Sequence, residues 1–371
     1  MSEPAVWNVV VAGGGVAGCA TAIGLARRGV DGVCIVDPGT GAGPRLGETI
    51  PPDARLVLND LGVWGPFLEQ KHERCLGSCS AWGGPELGYN DFLLNPYGGG
   101  WHLDRAAFEK MLRDQAVSLG IVLLAQAKVG TVALDGDLGL SVGVTGPTAS
   151  TRQFSARYVV DATGCRSGVA RQAGARLRVL DRLTFIYGFF DTSGADMGSK
   201  LTLLEADELG WWYAARLPGQ RLAVAFASDP DIVRDRKFTL GRDWLERLSK
   251  TQHLAARVQG CRLQSEALTV RVAPTTCLDH VSASRWLAVG DAAAACDPIS
   301  SQGIVNALED GLRASDVIAS AVKAGRTIDP TYSDGVIRRF ADYIDNRNYF
   351  YGMERRWRES QFWRRRRNVT L

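Results

Sequence analysis

Apolar residues enter this chain in short runs separated by glycine rather than in long periodic blocks. Val9, Val10 and Val11 run into Gly13-Gly14-Gly15-Val16-Ala17-Gly18, an alanine-rich segment continues to Arg28, and Val33 to Val36 form a second run that ends at Asp37. Such β-branched runs predict strand, glycine turn, helix and strand. Proline-led residues to Leu61 predict a helix, and Phe108, Met111, Leu112 and Ala116 give one apolar face to another that Asp104 caps. Ile121–Leu124 reads as a strand, Lys128–Thr145 as a meander turning at Asp135-Gly136 and again at Asp137 to Gly139, and Phe154–Val160 as a strand leading to Asp161-Ala-Thr-Gly164. From Leu183 to Val272 the texture changes. Strands are expected at Thr184–Phe190, Lys200–Ala206, Trp211–Leu217, Leu222–Ala227 and Leu268–Val272, with a helix over Leu240–Val258. A last strand near Trp286 precedes Gly290-Asp291 and a helix from Val305 to Ala321.

The opening glycines carry chemistry because they stand between a strand and a helix. Gly13 permits the tight turn, Gly15 lets backbone approach a pyrophosphate, and Gly18 lets helix pack on strand, with helix N–H groups facing the anion. Asp37 follows at close to the roughly 20-residue spacing of a ribose-binding carboxylate. Dinucleotide binding is the reading; FAD and NAD are not distinguished by these residues.

Composition narrows the field. The 371 residues are 46% hydrophobic, enough for two or three structural units, and the net charge of +3 is too small to argue for nucleic acid or an acidic substrate across the whole surface, so no nucleic acid is expected. Eight cysteines, several within apolar runs, suggest reduced thiols in a cytoplasm; Cys75 and Cys79 lack a second ligand pair for zinc, so no metal site is expected. No charged-then-apolar leader and no apolar run of about 18 residues is present, so a cytoplasmic protein without membrane contact is expected.

Other candidates are local. Arg45 is either a pyrophosphate donor or a solvated loop cation, and Glu48 either orients a ligand or caps a helix. His102 is more readily structural than catalytic. Strand alternation allows at most alternate members of Trp211, Trp212 and Tyr213 to share a cavity. Asp291 is placed for sugar-like hydroxyls, and the Gly303 turn for a flavin edge. Between Glu354 and Arg367 seven arginines outnumber two glutamates, yet Trp357, Phe362 and Trp363 interleave them, which favours a packed or protein-contacting helix.

Four signatures, GGGVAG with Asp37, WHLDRAAFEKML, DATG and GDAAAACDPISSQG, resemble in order and spacing the single-component FAD monooxygenases of the para-hydroxybenzoate hydroxylase type and their flavin-dependent halogenase cousins. The resemblance implies an α/β chain (α+β overall): a Rossmann-type FAD-binding domain interrupted by an antiparallel β-sheet substrate domain, with a helical C-terminal segment. It implies FAD domain pieces at 1–72, 100–180 and 272–330, substrate domain pieces at 73–99 and 181–271, and a helical, basic segment at 331–371. Carried over, Gly13, Gly15, Gly18 and Asp37 hold the ADP half, Arg45 and Arg105 the pyrophosphate and ribityl region, Asp291 the ribityl hydroxyls, and Pro298, Gly303 and Ile304 border the flavin ring, with Glu48 beside the ribityl chain or ring edge. No proton-transfer residue is assigned.

GETIPP, CDPISSQGI and the arginine–tryptophan tail resemble, more narrowly, the LodB/GoxB-like flavoproteins that mature tryptophylquinone-containing amino-acid oxidases. The implied activity is hydroxylation of a tryptophan in an oxidase precursor, with that precursor and molecular oxygen as partners and the reductant open. Alternatives are hydroxylation of a small aromatic molecule, halogenation, or a non-catalytic assembly factor stabilised by FAD. Halogenation is the weaker because WxWxIP is replaced by Trp211-Trp212-Tyr213-Ala-Ala-Arg-Leu-Pro218, and because no lysine occupies the halogenase-like context after the Pro51 helix.

Overall fold

The computed structural model describes residues 6–39, 49–135 and 139–367. Arg45 and Glu48 lie outside the described residues, as do Gly136 and Asp137 of the predicted meander turns.

In chain order, β1 (Trp7–Ala12), α1 (Val16–Arg27), β2 (Val33–Asp37), α2 (Arg105–Ser118), β3 (Val122–Ala125) and β4 (Thr151–Asp161) build the first layer. The second is built from β5 (Leu177–Asp191), β6 (Thr202–Asp207), β7 (Gly210–Leu217), β8 (Arg221–Ser228) and β9 (Thr269–Leu278). The chain then returns through β10 (Trp286–Ala288), α3 (Gly303–Ala324), α4 (Thr331–Met353) and α5 (Gln361–Arg366).

The first sheet has parallel pairings β3–β2, β2–β1, β1–β4 and β4–β10, extended by the antiparallel meander Lys128–Asp135 and Gly139–Thr145. Val9, Val10 and Val11 are fully buried, as expected where helices cover both faces of a parallel sheet. Helices α1 and α3 approach closely through small residues. A Cβ added to Gly311 would lie 2.6 Å from Ala20 Cβ, and one added to Gly24 would lie 2.3 Å from Ser315 Oγ.

The second sheet has nine strands and runs from Ala294–Ala295 through β9, β5, β8, β7 and β6 to Gly77–Ala81 and Gly88–Asp91. It is antiparallel apart from the β6 pairing with Gly77–Ala81. The long strands β5 and β9 connect the two layers, so the expected boundaries at 180/181 and 271/272 fall inside continuous strands.

The helix expected over Leu240–Val258 is two short helices, Gly241–Leu248 and His253–Arg257. Glu205 on β6 explains the break. Its carboxylate accepts from the N–H groups of Gln252, His253 and Leu254 at 2.7, 3.1 and 2.8 Å, which starts a second helix there.

The arginine-rich tail packs on the second sheet. Phe362 and Trp363 are fully buried, and Trp363 Nε1 donates to the Asp207 carbonyl at 2.9 Å. Arg365 pairs with Asp229 and Asp231, and Arg366 with Asp229 at 2.5 Å, so these charges are spent within the fold. No helix among the described residues is long and apolar enough to cross a membrane.

Candidate functional site

A cavity of about 980 Å³ opens between the two layers. Its floor is the glycine turn after β1. Gly13 adopts φ +117°, and an added Cβ there would lie 2.2 Å from the Ala162 carbonyl oxygen. At Gly15 nothing lies within 4 Å of an added Cβ, so the backbone at the start of α1 is open to a ligand. Gly18 serves differently: its Cβ would meet Gly13 O at 2.0 Å, so its smallness lets α1 lie against the turn, and it does not line the cavity. Asp37 lines it from the end of β2.

Helix α2 brings a row of charge to this floor. Asp104 Oδ1 accepts from Ala107 N–H at 3.0 Å and so fixes the first turn. Arg105 donates to Glu109 at 2.8 Å, Glu109 lies 3.9 Å from Arg113, and Arg113 donates to the Gly14 carbonyl at 3.3 Å. All three side chains line the cavity. Sequence reasoning found Arg105 and missed Glu109 and Arg113, although their four-residue spacing puts them on one helix face.

The opposite side is built by the segment between β10 and α3. Gly290 turns at φ +55°, where an added Cβ would lie 2.9 Å from Ala17 Cβ, and its N–H donates to buried Asp310 at 3.2 Å. Asp291 then faces the cavity, with Cys165 Sγ 3.8 Å from its carboxylate. Asp291 is exposed to the cavity, yet the protein packed around it raises its carboxyl pKa, and the positive charge of Arg105 opposes that rise. The same enclosure, with Asp291 beside it, pushes the Cys165 thiol up to about 12. Pro298, Ser301, Gly303 and Ile304 complete this wall. Asp297 is fully buried behind them and accepts from Ile299 N–H at 3.0 Å. The DATG acid plays a similar supporting part: Asp161 accepts from Val169 and Ala170 N–H, each at 2.8 Å, and holds the turn that carries Thr163, Gly164 and Cys165.

The second sheet supplies an aromatic end formed by Phe185, Trp211 and Tyr213. The strand alternation of β7 decides which rings reach it. Trp212 points the other way, onto Phe226 and Trp244 at centroid distances of 4.6 and 5.2 Å. The Tyr213 hydroxyl lies 3.0 Å from Thr49 Oγ1, which lies 3.1 Å from Thr202 Oγ1. His102 Nε2 stands 2.9 Å from that Thr202 hydroxyl, but the ring is fully buried and does not line the cavity.

One cavity therefore brings together Gly13, Gly15, Asp37, Arg105, Asp291, Pro298, Gly303 and Ile304. Open backbone N–H groups at a helix N-terminus and an arginine as donors, with carboxylate acceptors after two strands, form a set of groups suited to a dinucleotide. The FAD binding domain pattern matches residues 7–346. The chain belongs to that family. Its cofactor is FAD, and it is an FAD-dependent oxidoreductase.

LodB of Marinomonas mediterranea, described as a putative FAD-dependent oxidoreductase, is 27% identical over 364 residues, covering 97% of this chain and 96% of LodB. Among solved structures, the myxobacterial chondrochloren halogenase CndH superposes with a TM-score of 0.87 at 22% identity, covering 99% of this chain and 87% of its own. QhpG, described as a peptidyl tryptophan dihydroxylase essential for tryptophylquinone cofactor biogenesis, superposes at 0.76 with 23% identity, covering 98% of this chain and 79% of its own. Both likenesses are of fold.

Proposed function

We propose that this flavoprotein hydroxylates an aromatic ring, and that the ring is a tryptophan side chain of a partner oxidase precursor undergoing tryptophylquinone formation. The observation that carries the reading is the continuity of one cavity from the nucleotide floor at Gly13–Gly15 to the aromatic end at Phe185, Trp211 and Tyr213. In this assignment Asp37 receives the adenosine ribose, while Gly15, the start of α1 and Arg105 take the pyrophosphate. Asp291 takes the ribityl hydroxyls, and Pro298, Gly303 and Ile304 border the ring. Gly18 supports the turn from beneath. Arg45 and Glu48 keep the roles the family resemblance gives them. Residues 1–72, 100–180 and 272–330 form the FAD domain, 73–99 and 181–271 the substrate domain, and 331–371 the C-terminal helical segment.

When bound and reduced by an external two-electron donor, FAD would supply the electrons for oxygen activation, one oxygen atom going to the ring and the other leaving as water. The chain supplies the surroundings: Phe185, Trp211, Ala273 and Pro274 give an apolar wall that excludes water, and Tyr213 presents an aromatic edge anchored through its hydroxyl to Thr49. The cavity cations are Arg105, Arg113, Arg166 and Arg271; among the described residues no lysine lines it, which favours hydroxylation over halogenation. QhpG, described as a peptidyl tryptophan dihydroxylase, supports the protein-borne tryptophan. A cytoplasmic location is proposed from the sequence, in which several of the eight cysteines lie inside apolar runs.

The test is co-expression with a tryptophylquinone-type oxidase precursor, followed by the mass of its tryptophan-bearing peptide, beside an Asp291→Ala control. Oxygen added only by the intact protein supports the reading. An unmodified peptide despite bound FAD rejects it, and co-purification of the two chains would then favour an assembly factor.

A further inference from the structure

Strand β9 is paired along one side by β5, but on its other side Ala294–Ala295 meets only Thr276 and Cys277. Among the described residues, the edge from Thr269 to Ala273 has no strand partner on that side. Backbone groups alternate sides along a strand. Leu278 N–H points toward the Ala294–Ala295 side, where it donates to Ala293 O at 3.1 Å, so the N–H groups of Val272 and Val270 point the same way. Pro274, which has no N–H, separates this open edge from the paired residues.

The two faces of the edge lead to different places. Arg271 stands opposite Phe185, and both line the FAD cavity; Val272 stands opposite Thr184, and both line a separate groove of about 480 Å³ that also takes in Val270, Val233 and Lys237. Val270 and Val272 are 38% and 57% exposed, unusually open for valines on a sheet. Cations line both spaces. Arg166, Lys237 and Arg271 are exposed, and among the described residues none of the three has an ion-pair partner. Arg271 Nη1 instead donates to the Val270 carbonyl on the open edge at 3.2 Å, a contact that an incoming strand would replace.

We propose that the open edge of β9 docks the substrate protein, by strand addition of an extended acidic segment that carries the target tryptophan. This deepens the reading above and rests on it. An added strand continues the alternation of β9, so every second side chain faces the FAD cavity and its neighbours face the valine groove. The tryptophan enters with the first set, β-branched residues fill the groove with the second, and carboxylates beside the tryptophan meet Arg166 and Arg271 while Lys237 attracts them at longer range. The proposal gives a use to cations that have no ion-pair partner among the described residues, Arg166 and Arg271 in the cavity and Lys237 in the groove.

The probe is a short, fluorescently labelled peptide with one tryptophan flanked by alternating valine and aspartate, titrated into the FAD-loaded full chain. Two isomers carry backbone N-methyl groups on alternate residues, one set on each strand side. Strand addition predicts that one isomer binds like the parent and the other about tenfold more weakly. Val272→Pro removes an outward N–H and is expected to weaken the parent about tenfold, with the flavin spectrum and thermal unfolding as controls for folding. Lys237→Glu is expected to weaken it about fivefold at low salt and to flatten the salt dependence. Failure of the parent to bind, equal binding of both isomers, or unchanged binding by Val272→Pro overturns the inference. The mass of the bound peptide, taken after the flavin is reduced with dithionite and the complex exposed to air, separates it from the functional reading. Isomer-selective binding with no oxygen added under that reduction keeps the docking edge and rejects the oxygenase, whereas oxygen added with isomer-independent binding does the reverse.

Discussion

Tyr351 donates its hydroxyl to Asp297 at 2.6 Å, and the same oxygen accepts the Trp211 indole N–H at 3.1 Å. A residue of α4, five positions beyond the end of the family match, thus ties the segment that carries Pro298 to the aromatic end of the cavity. The surroundings hold it firmly: Tyr351 is fully buried, and the Arg347 guanidinium lies over its ring at 4.7 Å while pairing with Asp181. Burial and the nearby Asp181 charge raise the Asp297 carboxyl pKa, and Arg347 and the Tyr351 hydrogen bond oppose the rise.

Tyr351→Phe keeps the ring and removes both contacts. It leaves a buried carboxylate oxygen short of a donor and the Trp211 N–H without its acceptor, at a cost of about 1–3 kcal/mol. Denaturant unfolding should show that loss, and a variant as stable as the parent would mean that the three residues are not linked in solution.

The glycine turn makes a sharper contrast. Gly15 has ordinary φ −79° and open space around it, so Gly15→Ala should fold normally while its methyl group obstructs the close approach of the pyrophosphate. Gly18→Ala would press on Gly13 O and should lower stability even without cofactor. Flavin content and FAD-free unfolding, measured on both proteins, check the pair. Equal loss of stability in the two variants would contradict the separate roles.

Arg113 reaches the Gly14 carbonyl from α2, bridging the floor of the cavity to the Arg105–Glu109 pair. Arg113→Ala should weaken FAD binding by about tenfold, in keeping with loss of one charged hydrogen bond at an anion site. Titration of the FAD-free protein with FAD reads this directly, and unchanged affinity would leave Arg113 without a part in the site.

Legibility in the sequence followed the range of each interaction. The turn from Gly13 to Gly18 and Asp37 could be read because strand, turn, helix and acid lie within a single stretch. Alternation along β7 limited which of Trp211, Trp212 and Tyr213 could share a cavity, but only the packing of Trp212 on Trp244 fixes which face turns inward. Asp229 and Asp231 are more than a hundred residues from Arg365, so the charge count of the tail was visible while its neutralisation was not. The interleaved aromatic residues gave the better clue, since Phe362 and Trp363 are buried. Glu205, which divides the expected 240–258 helix, comes from a strand that helix propensity does not see.

The last prediction concerns acid. Burial lowers the pKa of His102 from 6.5 to about 4, and the charges of Arg216 and Arg257 push it the same way; burial also lowers His72 to about 4, against the opposing effect of Asp104. Between pH 6.5 and 4 the unfolded chain binds protons at these positions that the folded chain refuses. Stability contributed by the neutral rings is therefore present above pH 6.5 and is lost as the pH falls toward 4, on the order of 3 kcal/mol for fully buried His102. Asp161, Asp297 and Asp310 have raised pKa values and act in the opposite sense, gaining protons in the folded state first as the pH falls, so the whole protein shows only the balance. The difference between parent and His102→Gln isolates the histidine, because glutamine retains a polar group toward Thr202 and does not titrate. Denaturant unfolding from pH 7 to pH 4 should show the variant losing less stability than the parent. Parallel losses in the two proteins would mean that His102 is able to accept a proton in the folded chain.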